Sequence, residues 1–127
     1  MNNDETVKQF CAAWDEMDLG KILSLMSNDA VYHNLPLEPL KGREQIADFV
    51  EGFFKITATT NFKILTLVAD DKRVVTERVD TFGFKDGTMM KELPILGIFE
   101  FDNNGKISSW REYWDLKDWV KRGGPAL

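Results

Sequence analysis

Three stretches of this chain carry side chains that could do acid–base work. The first is Thr76-Glu77-Arg78-Val79-Asp80-Thr81-Phe82. Its flanks read as a strand, in which alternate residues share a face. Val74, Arg78, Asp80, Phe82 and Phe84 then point one way, and Val75, Glu77, Val79 and Thr81 the other. An arginine and an aspartate among large apolar neighbours are costly unless paired and hydrogen-bonded. The alternative is an ion pair on a wet sheet face, which is worth little. The second stretch is Ser108-Ser109-Trp110-Arg111-Glu112-Tyr113-Trp114-Asp115, where Trp110, Glu112 and Trp114 share one face and Arg111, Tyr113 and Asp115 the other. A glutamate between two tryptophans is poorly explained as surface decoration; its bland explanation is a rim carboxylate beside aromatics that cover a dimer contact. The third is Tyr32-His33-Asn34, where Tyr32 and Asn34 share a face and His33 turns away.

If the faces of Arg78, Asp80 and Glu112 all point inward, the result is a carboxylate, a guanidinium and a second carboxylate in one apolar pocket. One arginine can bridge two acids, because its planar fork offers five donors. Two carboxylates in one pocket split their pKa values, so that one stays ionised and the other holds a proton. That supplies a base and an acid at neutral pH. Tyr32 and Asn34 add two polar ends able to hold a water, or else simply tie down an irregular loop. Water, base, acid and apolar walls suit hydrolytic opening of a strained, neutral, apolar substrate.

These residues need elements to position them. Asp4 to Met17 has apolar residues at helical spacing (Val7, Phe10, Cys11, Trp14, Met17), with Asn3 as N-cap. Cys11 on that stripe reads as a small buried hydrophobe. Asp18 caps a second helix from about Leu19 to Met26, ended by Ser27-Asn28-Asp29. Ala30 to Asn34 is a short extended piece, kept so by the prolines of Leu35-Pro36-Leu37-Glu38-Pro39. Gly42 to about Lys55 is a third helix with a broad apolar stripe (Ile46, Phe49, Val50, Phe53) suited to packing on a sheet. Thr57 to Thr60 reads as a break. Four strands follow: Phe62–Val68, Arg73–Phe84, Met89–Phe101 and Lys106–Asp115, with Asp86-Gly87 and Asn104-Gly105 as hairpin turns and Pro94 interrupting the third strand at a bulge or bend. Leu116 to Arg122 is a short terminal helix. Helices followed by an antiparallel meander predict an α+β fold, a curved antiparallel sheet forming a cone wrapped by the N-terminal helices.

At 127 residues, with 43% hydrophobic and 29% charged residues, residues 1–127 read as one domain with a real core. A net charge of -5 without a basic run argues against nucleic acid or an anionic membrane surface as partner. No apolar run approaches a bilayer span, and the first residues lack signal-peptide character. One cysteine and one histidine exclude an internal disulfide and disfavour zinc, which suits a cytoplasmic protein without metal.

Val31-Tyr32-His33-Asn34-Leu35-Pro36-Leu37, Gly42-Arg43, Thr76-Glu77-Arg78-Val79-Asp80, Leu96-Gly97-Ile98-Phe99 and Gly105-Lys106-Ile107 through Trp110-Arg111-Glu112-Tyr113-Trp114-Asp115-Leu116 together resemble the limonene-1,2-epoxide hydrolase family, in register over nearly the whole chain. The resemblance implies the cone-shaped fold shared with nuclear transport factor 2, ketosteroid isomerase and the SnoaL-type cyclases, a homodimer, and no cofactor or metal. By position it makes Asp80 the acid that protonates the epoxide oxygen, Arg78 the bridge, Tyr32 and Asn34 the holders of the nucleophilic water, Trp110 the neighbour of the base, and Glu112 the base. The family usually has aspartate at that last position. Glutamate keeps the charge but moves the carboxylate by ~1.5 Å unless its rotamer compensates, and a misplacement on that scale can cost ~100-fold in rate. The expected walls are Leu35, Leu37, Phe82, Leu93, Ile95 and Trp114, all uncharged, which points to a small apolar, terpene-like or cyclic epoxide opened to a vicinal diol. Two other readings use the same residues: a cyclase or isomerase that moves protons without adding water, and a carrier that only binds a small molecule. Fold alone does not choose among them.

Overall fold

The protein is described by a computed structural model covering residues 2–126. Two helices open the chain, α1 (Asn3–Asp15) and α2 (Leu19–Ser24), followed by strand β1 (Met26–Asn34), a two-residue strand β2 (Leu40–Lys41) and helix α3 (Arg43–Ile56). Strands β3 (Thr57–Ala69), β4 (Arg73–Phe84), β5 (Met89–Phe101) and β6 (Ile107–Tyr113) form the predicted meander, and α4 (Leu116–Lys121) closes it. All strands belong to one six-stranded curved sheet of order β2-β1-β6-β5-β4-β3, so the α+β class holds.

The sheet departs from the expected all-antiparallel meander at one place. β1 pairs with β6 in parallel, Tyr32 opposite Trp110 and Asn34 opposite Glu112. The extended piece starts earlier than expected, at Met26, because Met26, Ala30 and Tyr32 are buried in the sheet rather than on a helix face. The second helix therefore stops at Ser24. Ser27, Asn28 and Asp29 fall where the register shifts between Met26 and Val31, a bulge rather than a helix stop.

Thr57 to Thr60 is also strand, not a break. Its hydroxyls explain this: Thr57 donates to the carbonyl of Phe53 (2.6 Å), and Thr60 donates to the carbonyl of Trp14. The carboxylate of Asp15 then accepts from the backbone N–H of Phe62 (2.7 Å), so the end of α1 is stitched to β3. The N-cap of α1 is Asn2 rather than Asn3: its side chain accepts from the N–H of Glu5 (3.1 Å). Asp18 caps α2 as expected. The bulge in the third meander strand lies between the Asp80–Leu93 and Phe82–Met90 pairs, with Glu92 at φ 53°, while Pro94 itself stays in register opposite Val79.

Helices α1 and α3 cover the concave side of the sheet. Val7, Phe10 and Cys11 of α1 and Ile46 and Val50 of α3 are buried against Val74, Phe99, Ile107 and Trp110 from the strands. Phe10, Phe99 and Trp110 meet edge-on or stacked with centroids 4.8–5.8 Å apart. Burial pushes the Cys11 thiol up to about 12, so it remains a thiol and a filler of core space. At the cone's mouth α4 brings Trp119 against Phe82, Phe84 and Trp114. Asp115 is where this helix begins. Its carboxylate accepts from the N–H groups of Lys117 (2.9 Å) and Asp118 (3.2 Å).

Replacing Asp115 by alanine removes that cap, and the expected cost is about 1 kcal/mol. The denaturant midpoint should fall accordingly, and the tryptophan fluorescence that reports Trp119 should shift before global unfolding. An unchanged midpoint would mean that α4 contributes nothing to the closed cone.

Candidate active site

The alternation in β4 and β6 decides what faces inward. Thr76, Arg78, Asp80 and Phe82 are buried, whereas Glu77 is exposed and Val75, Val79 and Thr81 are half-buried. On β6 Trp110 and Glu112 are buried and Tyr113 is exposed. β5 lies between these strands, with Ile95 opposite Arg78 and Gly97 opposite Glu112. The two acids reach the same guanidinium across it.

Arg78 is 0% exposed, Asp80 1% and Glu112 2%. Arg78 Nε and Nη2 donate to Asp80 Oδ1 (3.1 Å) and Oδ2 (2.9 Å). Arg78 Nη2 and Nη1 donate to Glu112 Oε1 (2.5 Å) and Oε2 (3.1 Å), and Nη1 also donates to Thr76 Oγ1 (3.3 Å). All five N–H donors of the fork are therefore used. The ring of Phe62 covers the guanidinium, 4.5 Å from Cζ to its centroid. Gly97 makes room for the whole arrangement. A Cβ there would lie 2.5 Å from Glu112 Oε2, 2.8 Å from Arg78 Nη1 and 3.0 Å from Thr76 Oγ1.

Burial is the largest influence on both acids and raises their pKa values; Arg78 opposes it. Glu112 is raised to about 7, with the charge of Asp80 adding to the rise. The physical reason is a charge count. With both acids ionised the buried group carries a net negative charge, and one shared proton makes it neutral. The pair therefore holds one proton near neutral pH. The buried indole N–H of Trp110 lacks an aligned hydrogen-bond partner, although its proximity lowers the Glu112 pKa slightly.

Asp80 and Glu112 line a cavity of about 480 Å³, its open mouth included, together with Tyr32, Asn34, Phe82, Leu93, Ile95 and Trp114. Tyr32 stacks on Trp110, centroids 4.1 Å apart and planes within 10°. Burial and the nearby Glu112 charge push its phenol well above its usual range, so it presents a neutral O–H. Asn34 accepts at Oδ1 from the indole N–H of Trp114 (2.6 Å).

Not every expected wall residue is in this cavity. Leu35 and Leu37 sit in the turn after β1, where their backbone N–H groups bond the carbonyls of Glu112 (3.1 Å) and Asn34 (2.8 Å). They fix the end of β1 instead of walling the pocket. Arg78 and Trp110 lie behind the acids and behind Tyr32. Five aromatic wall residues escaped the sequence reading: Trp14, Phe49, Phe53, Phe62 and Trp119. Trp14, Phe49 and Phe53 were visible only as helix stripes, whose aim depends on docking. Asp115 is committed to capping α4, and His33 lies on the far side of β1 from Tyr32 and Asn34.

Residues 1–123 match the model of the limonene-1,2-epoxide hydrolase catalytic domain. The chain belongs to the limonene-1,2-epoxide hydrolase family. It is 29% identical over 126 residues to epoxide hydrolase EphG of Mycobacterium tuberculosis, a match covering 95% of this chain and 80% of that protein. The solved structure of a Mycobacterium tuberculosis LEH-like epoxide hydrolase superposes with a TM-score of 0.81 at 26% identity, over 93% of this chain and 86% of that one. An NTF2-like protein from Burkholderia pseudomallei, of unknown function, superposes with a TM-score of 0.84 at 16% identity, over 95% and 96% of the two chains, which speaks to the fold alone. No helix among the described residues is long and apolar enough to cross a membrane.

The shared proton has a consequence for stability. Glu112 holds its proton up to about pH 7 in the folded chain, against 4.5 for an ordinary glutamate. Between those values the folded chain binds more protons than the unfolded one, so stability falls as pH rises through the window. The melting temperature should therefore drop between about pH 5 and 8, and Glu112→Gln should flatten that slope. An equally steep slope in the variant would assign the proton to another group.

Proposed function

We propose that this member of the limonene-1,2-epoxide hydrolase family adds water to a small apolar epoxide, terpene-like or cyclic, and gives a vicinal diol in one step without a covalent intermediate. The observation that carries this reading is the pair of buried carboxylates forked on Arg78, which open into an aromatic cavity beside Tyr32 and Asn34.

The pair rests with its proton on Glu112, and the competent form is the tautomer in which that proton has passed to Asp80 and Glu112 is ionised. Tyr32 and Asn34 hold a water beside Glu112. The water gives one proton to Glu112 while its oxygen forms a bond to an epoxide carbon. The carbon–oxygen bond of the epoxide breaks, and the departing oxygen takes the proton of Asp80. Each turnover moves one proton from Asp80 to Glu112, and its return resets the pair. The charge of the site is constant in this exchange because one proton arrives on Glu112 as one leaves Asp80, and Arg78, bonded twice to each acid, stays paired with whichever is ionised. A site neutral before and after the step suits a neutral substrate. Catalysis then requires one proton on the pair. The rate should fall at high pH, where that proton is lost, and at low pH, where the base is protonated too.

The longer base fits this scheme because Glu112 stands over Gly97. Its carboxylate folds back onto Arg78 instead of extending into the cavity. Glu112→Gln and Asp80→Asn should each lower diol formation by about 10²–10⁴-fold with the fold intact, and the losses should not add in the double variant. Glu112→Asp should keep measurable activity. In a single turnover in heavy-oxygen water the diol should carry the label at once. An unlabelled first-turnover diol would require an enzyme nucleophile, and a product isomeric with the substrate would replace the hydrolase by a cyclase or isomerase.

We further propose a homodimer through the outer sheet face. Val75, Val79 and Ile98 are half-buried there, and Leu96 is 43% exposed. An apolar patch of this kind is seldom left bare in a small domain. Glu100 pairs beside it with Arg111 (2.5 Å) and Arg73 (3.3 Å), a polar margin suited to an interface rim. Sedimentation at micromolar concentration should give a dimer, and Leu96→Glu should give a monomer; a wild-type monomer would remove the proposal.

A further inference from the structure

The water-holding side of the site contains a contact that the acid–base scheme does not use. β6 ends at Tyr113, and Trp114 turns its indole back to Asn34, on the strand that runs parallel to β6. The indole N–H donates to Asn34 Oδ1 at 2.6 Å. Trp114 is itself held from behind by Trp119, with ring centroids 5.8 Å apart, and Trp119 is pinned by its own N–H on the carbonyl of Pro125 (2.6 Å).

An asparagine amide has an accepting end and a donating end of nearly the same shape, and it can exchange them by turning over. For a water about to attack carbon, the two ends are not equivalent. One lone pair must stay free for the carbon, and the protons must go to acceptors. An amide N–H aimed at that water would occupy electrons that the reaction needs. An indole N–H only donates, so the end of Asn34 that meets Trp114 has to be the carbonyl. That carbonyl retains a second lone pair.

We propose that Trp114 is a positioning residue. Its N–H locks the amide of Asn34 so that the carbonyl Oδ1, shared between the indole and the water, accepts from the water, and Asn34 cannot turn its NH₂ group onto the attacking oxygen. This rests on the hydrolase reading and adds to it a role for Trp114 beyond that of an apolar wall. It also explains how the terminal helix reaches the chemistry, through Trp119, Trp114 and Asn34 in series.

The test separates a lock from a wall. Trp114→Phe keeps an aromatic surface and deletes the N–H. Its expected effect is a loss of about tenfold in kcat, the worth of one hydrogen bond, with KM for an apolar epoxide changed less than twofold. In an Asn34→Ala background the same change should cost no further kcat, since nothing remains to be locked. A KM effect with kcat intact, or the same tenfold loss in both backgrounds, would overturn the proposal and leave Trp114 as a wall. A second readout needs no turnover. In the free protein the Trp114 indole proton should exchange slowly with solvent and be shifted by Asn34→Ala. Fast exchange indifferent to Asn34→Ala would show that there is no lock. If the wild-type protein opened no epoxide while the indole proton behaved as expected, the hydrolase reading would fall and the lock would stand.

Discussion

The structure depends on one buried guanidinium. Removing Arg78 and two carboxylates from water is expensive, and in a low-dielectric interior only near-complete hydrogen bonding offsets the loss. The fold meets that demand with five donors and five bonds, four to the acids and one to the hydroxyl of Thr76, and with a phenylalanine face over the cation. Removing either acid leaves the other as the sole counter-charge, and removing the arginine leaves two acids that repel. Such a group is costly as mere scaffolding, since well-packed apolar residues would be at least as stable. Its place in the most enclosed part of the cone puts two acids and a cation at the wall of the cavity.

The constraint extends outward from there. The two acids come from strands that are not neighbours, and β5 between them must let their side chains meet. Gly97 does so by having no side chain. Alternation along β4 keeps Phe82 on the face of Asp80, where it walls the cavity, while β5 takes up its extra residue in the bulge around Glu92. The parallel pairing of β1 with β6 does comparable work on the other side. It sets Tyr32 next to Trp110 and Asn34 next to Glu112, so the groups that could hold a water and the group that could deprotonate it are adjacent by strand register. Tyr32 stacks on Trp110, and the Trp114 indole donates to the Asn34 amide oxygen.

Glu112, the proposed base, is accommodated within this frame. A longer side chain in a rigid cavity either intrudes or folds away. Glu112 folds onto Arg78, where both of its oxygens are bound. Burial and Asp80 raise its pKa, whereas Arg78 lowers it, and the balance near 7 leaves the pair with one proton to move. A fold does not by itself assign an activity, so the polar groups that line the cone are what matter.

Much of this was legible in the sequence, for a definite reason. Strand alternation has a period of two, so the placement of Arg78 with Asp80 and Phe82, and of Trp110 with Glu112 and Trp114, follows from residue order once a strand is granted. The helix stripes, the turns at Asp86-Gly87 and Asn104-Gly105, and the α+β class rest on similarly local rules. What the sequence could not decide was everything set by partners distant along the chain. Thr57 to Thr60 reads as a break until β4 is there to pair with it and the carbonyl of Trp14 to receive the hydroxyl of Thr60. Met26 has the same apolar character in a helix or a strand, and only pairing with Ile107 settles it. Leu35 and Leu37 look like walls because they are apolar, yet the backbone bonds that end β1 hold them outside the cavity. Residue order determined which groups share a face; the three-dimensional closure of the sheet, by parallel pairing across it, decided which faces meet.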